Sequence, residues 1–198
     1  MIRNKMVLEK TLVLIKPDGV QRGLIGEILK RFEQRGLKIV GMKMISPKED
    51  LAQKHYPVTK EWYKKVGKNT LDDCEKYDID VEESMGTKDP VEIGKKVHKW
   101  NVSFLTSSPI VALVLEGTHA IESARKLAGE TVPNISQIGT IRGDFTGVSA
   151  ISANMKGRAI YNLVHTSKNK EEAEKEIKLW FTEKELHKYK IPHQEHFF

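Results

Sequence analysis

A histidine and a glutamate eleven residues apart carry the first chemical signal in this sequence. His165 ends a short hydrophobic run within Arg158–Phe181, and Glu176 lies on the amphipathic segment beyond it. Asn169 and Glu172 have the capping-box pattern of a helix start. Ala173, Ile177 and Trp180 then recur at about 3.6-residue spacing and form one apolar stripe. Glu176 sits at the margin of that stripe, where an acidic side chain needs a partner. A carboxylate bonded to one ring nitrogen of His165 would fix the tautomer and leave the other nitrogen free to attack. The alternative is a surface glutamate lying beside a histidine at a strand end.

Lys16 is a second candidate. It comes directly after the continuous hydrophobic run Thr11–Ile15, the pattern of a buried central strand. Pro17 and Gly19 stop that strand, and Asp18 can cap the next element. A lysine here, with a helix beginning just beyond, suits a phosphate; it equally suits a solvated strand end. Trp62 and Tyr63 are adjacent aromatics in a basic segment and fit a platform for a flat base, because stacking accepts any ring. The other arrangement packs one ring in the core with the second covering it.

These residues need a fold to bring them together. The chain has 198 residues, 39% hydrophobic and 30% charged, enough for one substantial soluble core. It has no 18-residue apolar run, so no membrane span is expected. The basic opening MIRNKMVLEK lacks the apolar segment of a secretory signal. A lone cysteine, Cys74, excludes an internal disulfide and a cysteine-rich metal site, and fits a reducing cytoplasm. The formal charge of +6 favours anionic partners without choosing among them. Three of the seven histidines, His187, His193 and His196, are expected in a solvated tail.

The positioning elements can be taken in chain order. Val20, Leu24, Ile25, Ile28, Leu29 and Phe32 mark one helix face that Gly36 ends, and Leu37–Ile45 reads as a second strand. Lys48–Lys54 is a short helix leading to His55 and Tyr56, and Thr59–Val66 another. From Gly67 the composition turns acidic and reads as an excursion: a small helix near Leu71–Tyr77, a loop, and a helix starting near Pro90. Pro109 or Ile110 to Leu115 is the third strand, and a helix from Ala120 to Ala128 carries Arg125 near its stripe. Asn134–Gly139 reads as loop, Ile141–Phe145 as a tight charged turn and Ser149–Asn154 as a helical turn. Ala159–Val164 is the fourth strand. This order predicts a βαββαβ α+β sandwich, an antiparallel sheet with the first and third strands central and helices on one side. Composition alone leaves a doubly wound parallel sheet open.

Three blocks in order, TLVLIKPDGVQRGLIGEILKRFEQRG from Thr11, GTIRGDF from Gly139, and NLVH with AEKEIKLWF after it, are similar to the nucleoside diphosphate kinase family. The resemblance spans nearly the whole chain. It implies one ferredoxin-like domain over residues 1–198, with phosphoryl transfer between nucleotides through a phosphohistidine. It makes His165 the nucleophile and Glu176 the carboxylate that orients it. Lys16 matches the lysine that reaches the transferred phosphate and the sugar hydroxyl, and Tyr56 the tyrosine beside the site. Arg125 and Thr131 match the pair holding the distal phosphates, Arg142 a second phosphate-binding arginine, and Asn162 a sugar contact. Trp62 is the choice for the base-stacking aromatic, with Tyr63 open. Magnesium is expected on the phosphates and not in a protein cage. Substrates are nucleoside triphosphates and diphosphates with broad base and sugar tolerance, and the partner is a further copy of the chain, in hexamers or tetramers built from dimers.

The sequence departs from the family at Thr166, Ser167 and Lys168, where many members carry Gly, Ser, Asp. A lysine thus replaces the acid that would support a water-mediated metal contact. Insertions are expected at about 67–99 and 146–156. Two rivals remain: an RNA-binding module of the same strand order, which lacks its aromatic signature in Thr11–Ile15, and a catalytically silent nucleotide-binding scaffold. The complete set Lys16, Arg125, Arg142 and His165 argues against the second. No membrane and no specific nucleic acid are expected as partners.

Overall fold

A computed structural model describes residues 8–56 and 59–191. Its centre is a four-stranded antiparallel sheet of β1 (Leu8–Ile15), β2 (Lys38–Ile45), β3 (Ile110–Thr118) and β4 (Val164–Thr166), in the order β2-β3-β1-β4. The first and third strands are central, as the pattern predicts. They pair without interruption from Leu8 opposite Thr118 to Ile15 opposite Val111.

β1 is apolar on both faces, so the sheet needs cover on both. Val13 and Ile15 pack with Ile28 and Phe32 of α2 (Ile25–Gln34) and Ala124 of α7 (Ala120–Ala128). Leu12 and Leu14 face the other core, with Ala52 of α3 (Glu49–His55), Val102 and Leu105 of α6 (Pro90–Leu105), and Ile177 and Trp180 of α10 (Lys170–Trp180). Helices therefore lie on both sides of the sheet, which corrects the one-sided packing expected from the sequence.

Other boundaries also differ from expectation. The stretch Val20–Phe32 is two helices, α1 (Pro17–Gln21) and α2, separated at Gly23, whose φ of +68° needs a glycine. Lys16 occupies the N-cap position of α1 and Asp18 its first turn; the Asp18 carboxylate accepts instead from the Leu163 N–H at 3.0 Å. The helices expected at Thr59–Val66 and Leu71–Tyr77 are one, α4 (Lys60–Lys76), so the change of composition at Gly67 falls inside an element. A short α5 (Val81–Met85) comes next. Ile141–Phe145 is a helix, α8, because the Thr140 hydroxyl caps the Gly143 N–H at 3.0 Å. α9 (Ala150–Met155) lies close to its predicted position.

The largest correction concerns the fourth strand. Ala159–Leu163 does not pair, and β4 begins only at Val164. Leu163 has φ +67°, and the Val164 N–H reaches back to the Asn162 carbonyl at 2.7 Å, closing a three-residue turn. Near the chain's end, the His187 N–H donates to the Val40 carbonyl at 2.7 Å while its side chain stays exposed. His193, His196, Pro57 and the opening residues through Val7 lie outside the described residues. Among the described residues no helix is long and apolar enough to cross a membrane.

Candidate active site

The turn at Leu163 is the foundation of the site. Its amide is bound by the Asp18 carboxylate and its carbonyl accepts from the Lys16 N–H at 2.8 Å, so both ends of the residue are tied to the start of α1. A leucine at positive φ is unfavourable on its own and persists only where the surroundings fix it. The turn delivers Asn162 on one side and, two residues after Leu163, His165 opposite Leu14 of β1.

α10 brings Glu176 to the same place. Its Oε1 lies 2.8 Å from His165 Nε2 and 3.6 Å from His55 Nδ1. Its Oε2 accepts from the Ser167 hydroxyl at 2.6 Å, and Ser167 Oγ in turn accepts from the Leu12 N–H at 3.2 Å. The His165 contact is short but is not angled as a hydrogen bond; such contacts commonly tighten when substrate arrives. With Nε2 facing the carboxylate, Nδ1 is the nitrogen left to react. Burial, then Lys16, Arg142 and Arg125, push the imidazole down to about 3, so it is neutral at pH 7. Burial raises Glu176 above the ordinary carboxylate range, against the opposing pull of His55 and the Ser167 hydroxyl.

The cations converge on the other side. Lys16 Nζ donates to Asn162 Oδ1 at 2.8 Å, and Asn162 Nδ2 donates to the Thr131 carbonyl at 2.8 Å. Burial and the nearby Arg142 bring Lys16 down to about 8, with Asp18 pulling the other way. Arg142 is buried. It donates to the carbonyls of Asn162 at 3.0 Å, Gly129 at 2.7 Å, Glu130 at 3.2 Å and Val164 at 2.6 Å. A guanidinium has five N–H protons, so one remains for a ligand. Most of its donors therefore hold backbone, and the remaining N–H and the charge are what it can offer a phosphate. Arg125, on α7, and Thr131 are exposed, and the Arg125 charge is close enough to depress both Arg142 and His165.

Tyr56 packs against His55 with ring centroids 4.8 Å apart, and burial together with Glu176 and Asp18 raises its hydroxyl, which stays protonated. Trp62 and Tyr63 form a trio with His98, centroids 5.8 to 6.3 Å apart and edge-on. His98 Nε2 lies 3.1 Å from the Tyr56 carbonyl, and that bond joins the trio to the site.

The sequence-predicted His165, Glu176, Lys16, Arg142 and Asn162 are therefore together. Thr131 is joined through its carbonyl, Arg125 through its charge, and Trp62 only by way of His98 and Tyr56. Sequence reasoning missed His55, Asp18 and Ser167 as site residues. His55 ends α3, and its Nδ1 accepts from the Trp180 indole at 3.3 Å; its place beside Tyr56 was the only signal available. Ligand atoms of His55, His165 and Glu176 lie within 4.8 Å of one another, a metal-like grouping, but the Trp180 N–H already occupies the His55 lone pair. Chemically, a neutral imidazole held by a carboxylate and faced by three cations can accept a transferred anionic group.

The sequence pattern of the nucleoside diphosphate kinase family matches residues 9–70 and 89–186. A relative from Pyrobaculum aerophilum named nucleoside diphosphate kinase is 45% identical over 181 residues, 91% of this chain and 99% of that protein. The crystal structure of an NDP kinase from the same organism has a TM-score of 0.87 at 42% identity, over 91% of this chain and 100% of the other. A Borrelia burgdorferi nucleoside-diphosphate kinase, solved as a transition state mimic with bound vanadate and ADP, has a TM-score of 0.78 at 37% identity, covering 98% of each chain.

Proposed function

The chain belongs to the nucleoside diphosphate kinase family, and we propose that His165 carries the phosphoryl group that this enzyme moves from a nucleoside triphosphate to a nucleoside diphosphate. The supporting observation is the neutral imidazole with Glu176 on Nε2 and Lys16, Arg142 and Arg125 around it.

In the first half-reaction Nδ1 attacks the terminal phosphorus, the bond to the bridging oxygen breaks and the diphosphate leaves. Positive charge developing on the ring is met by Glu176 through Nε2–H, while Ser167 keeps the carboxylate in place. Lys16, presented by Asn162, neutralises the transferring oxygens, and Arg125 and Thr131 face the distal phosphates from the exposed side. The second half-reaction reverses these steps on the acceptor, giving ping-pong kinetics. Tyr56 remains protonated and can donate. Trp62 or Tyr63 stacks on the base; because stacking accepts any ring, this reading goes with broad tolerance and a role in maintaining nucleotide pools.

Magnesium fits this reading as a passenger of the phosphates. The buried carboxylates are committed, Glu176 to Ser167 and His165 and Asp18 to Leu163, and the charged groups around the imidazole are the cations Lys16, Arg142 and Arg125. When bound, the ion supplies charge neutralisation of the polyphosphate.

Residues 1–198 are read as one domain, with inserted segments at about 67–99 and 146–156; the first is supported by the family match resuming only at residue 89. Assembly into hexamers or tetramers built from dimers and a cytoplasmic setting are read from the family. Met42 and Met44, exposed on β2 at 57% and 59%, are an apolar surface that supports self-association. The test of the function is transfer of label from γ-labelled ATP. Wild-type protein gains acid-labile, alkali-stable label and His165→Ala gains none; label persisting in that variant rejects the assignment.

A further inference from the structure

α4 and α6 pack with their backbones in direct contact. A side-chain carbon at Gly94 would overlap the Tyr63 carbonyl oxygen and lie 2.5 Å from the Tyr63 Cα. One at Gly67 would overlap the Pro90 carbonyl oxygen and lie 2.6 Å from the Pro90 Cα. Glycine alone permits helices this close. The two glycines pin α4 against α6 at two points, and the Gly94 contact falls on the residue beside Trp62.

His98 lies one turn beyond Gly94 on the same face of α6. Its ring meets Trp62 and Tyr63 edge-on at 6.3 and 6.0 Å, and its Nε2 is 3.1 Å from the carbonyl of Tyr56. That carbonyl can only accept, so Nε2 carries the proton. The same helix face thus fixes the aromatic pair by backbone contact and ties it to the segment that carries His55 and Tyr56. Behind it, Asn154 donates to the Thr70 hydroxyl at 3.5 Å, and α9 packs on α4 and α5, so the two segments read as insertions meet in one body.

We propose that α6, through Gly94 and His98, is the positioning element of the base platform. It sets where Trp62 and Tyr63 stand relative to His165, and so sets affinity for the nucleoside half of the substrate, while taking no part in phosphoryl transfer. The inference rests on His165 as carrier and on the Trp62–Tyr63 platform.

The experiment compares wild type with His98→Ala and Gly94→Ala, and with Tyr77→Ala as control, since Tyr77 is exposed at the far end of α4. Two readouts are taken on the full-length protein: kcat and KM for ADP as acceptor, and labelling of His165 by phosphoramidate. That donor carries no base; its P–N bond breaks, the phosphoryl joins the imidazole nitrogen and ammonia leaves. His98→Ala and Gly94→Ala are expected to raise KM about five- to tenfold, a partial loss of the stacking of one base. Their kcat stays within about twofold and phosphoramidate labelling keeps the wild-type rate. Tyr77→Ala changes neither. If Gly94→Ala does not fold, His98→Ala decides. An unchanged KM in His98→Ala overturns the proposal, as does a loss of phosphoramidate labelling alongside KM, or the same rise in Tyr77→Ala. A wild-type protein that neither donor labels overturns the carrier reading itself, which separates the two failures.

Discussion

Replacing Glu176 by glutamine keeps the shape of the side chain and removes its charge, and the two contacts it serves cannot both survive. Oε1 faces His165 Nε2 at 2.8 Å and Oε2 receives the Ser167 hydroxyl proton at 2.6 Å. If the amide nitrogen turns toward His165, two donors meet, and the ring shifts its proton to Nδ1, the nitrogen that must attack. If the amide nitrogen turns toward Ser167, that oxygen already accepts from Leu12 and its own proton is left without an acceptor in a buried place. Hydrogen bonds to charged groups contribute about 1.5–3 kcal/mol, and an unsatisfied buried group costs about 1–3 kcal/mol. Lost from the transition state, either corresponds to roughly a 10- to 100-fold slower phosphorylation. Rapid-quench measurement of His165 labelling by γ-labelled ATP, at saturating nucleotide, reads this step directly. Nucleotide dissociation constants should stay within about threefold, since Glu176 is not expected to touch the phosphates. A Glu176→Gln protein phosphorylated within threefold of the wild-type rate would refute the orienting role and the tautomer assignment with it.

Two further outcomes come from the same geometry. For the free enzyme, kcat/KM should fall as pH rises through about 8, where Lys16 loses its proton and the site loses a cation. The acid limb belongs to Glu176, whose pKa is raised, because His165, near 3, is already neutral there; Glu176→Gln should remove the acid limb and keep the alkaline one, and an unchanged acid limb would contradict this. Asp18→Ala strands the buried Leu163 N–H and should lower stability by about 1–3 kcal/mol in urea unfolding, with slower His165 labelling. Asp18→Asn retains an acceptor oxygen and should recover most of the stability; equal losses in both would show that charge, not the tie to the turn, is what counts.

The legibility of each feature in the sequence depended on whether its signal was local. The run Thr11–Ile15 marked β1 because a strand covered on both faces is apolar at every position, and the same fact should have excluded one-sided packing. Glu176 could be paired with His165 because a stripe position fixes the direction of a side chain. The split between α1 and α2 was hidden because the apolar spacing continues through Gly23 while the backbone does not. β4 was misplaced because Ala159–Val164 has a strand's composition, whereas the Leu163 turn is imposed from outside by Asp18 and Lys16. α4 was cut at Gly67 because a glycine in an acidic stretch reads as an end. Here it is a helix interior where Pro90 passes too close for any side chain.

Arg142 shows how family resemblance and structure divide the work of one residue. Its type and place in IRGDF imply a phosphate ligand, yet its donors bind the carbonyls of Gly129, Glu130, Asn162 and Val164. Those carbonyls come from two stretches, the loop after α7 that carries Thr131 and the turn that presents Asn162 and His165. The guanidinium therefore joins the part of the site expected to face the distal phosphates to the part that holds the nucleophile. Its charge is not neutralised by a carboxylate in doing so, since carbonyl oxygens contribute dipoles only. The site keeps a buried positive potential, which adds to burial in depressing Lys16 and the imidazole together. A field of that kind costs stability while no anion is present and is relieved when a polyphosphate enters, so the same arrangement that keeps His165 unprotonated also favours the ligand from which it takes its phosphate.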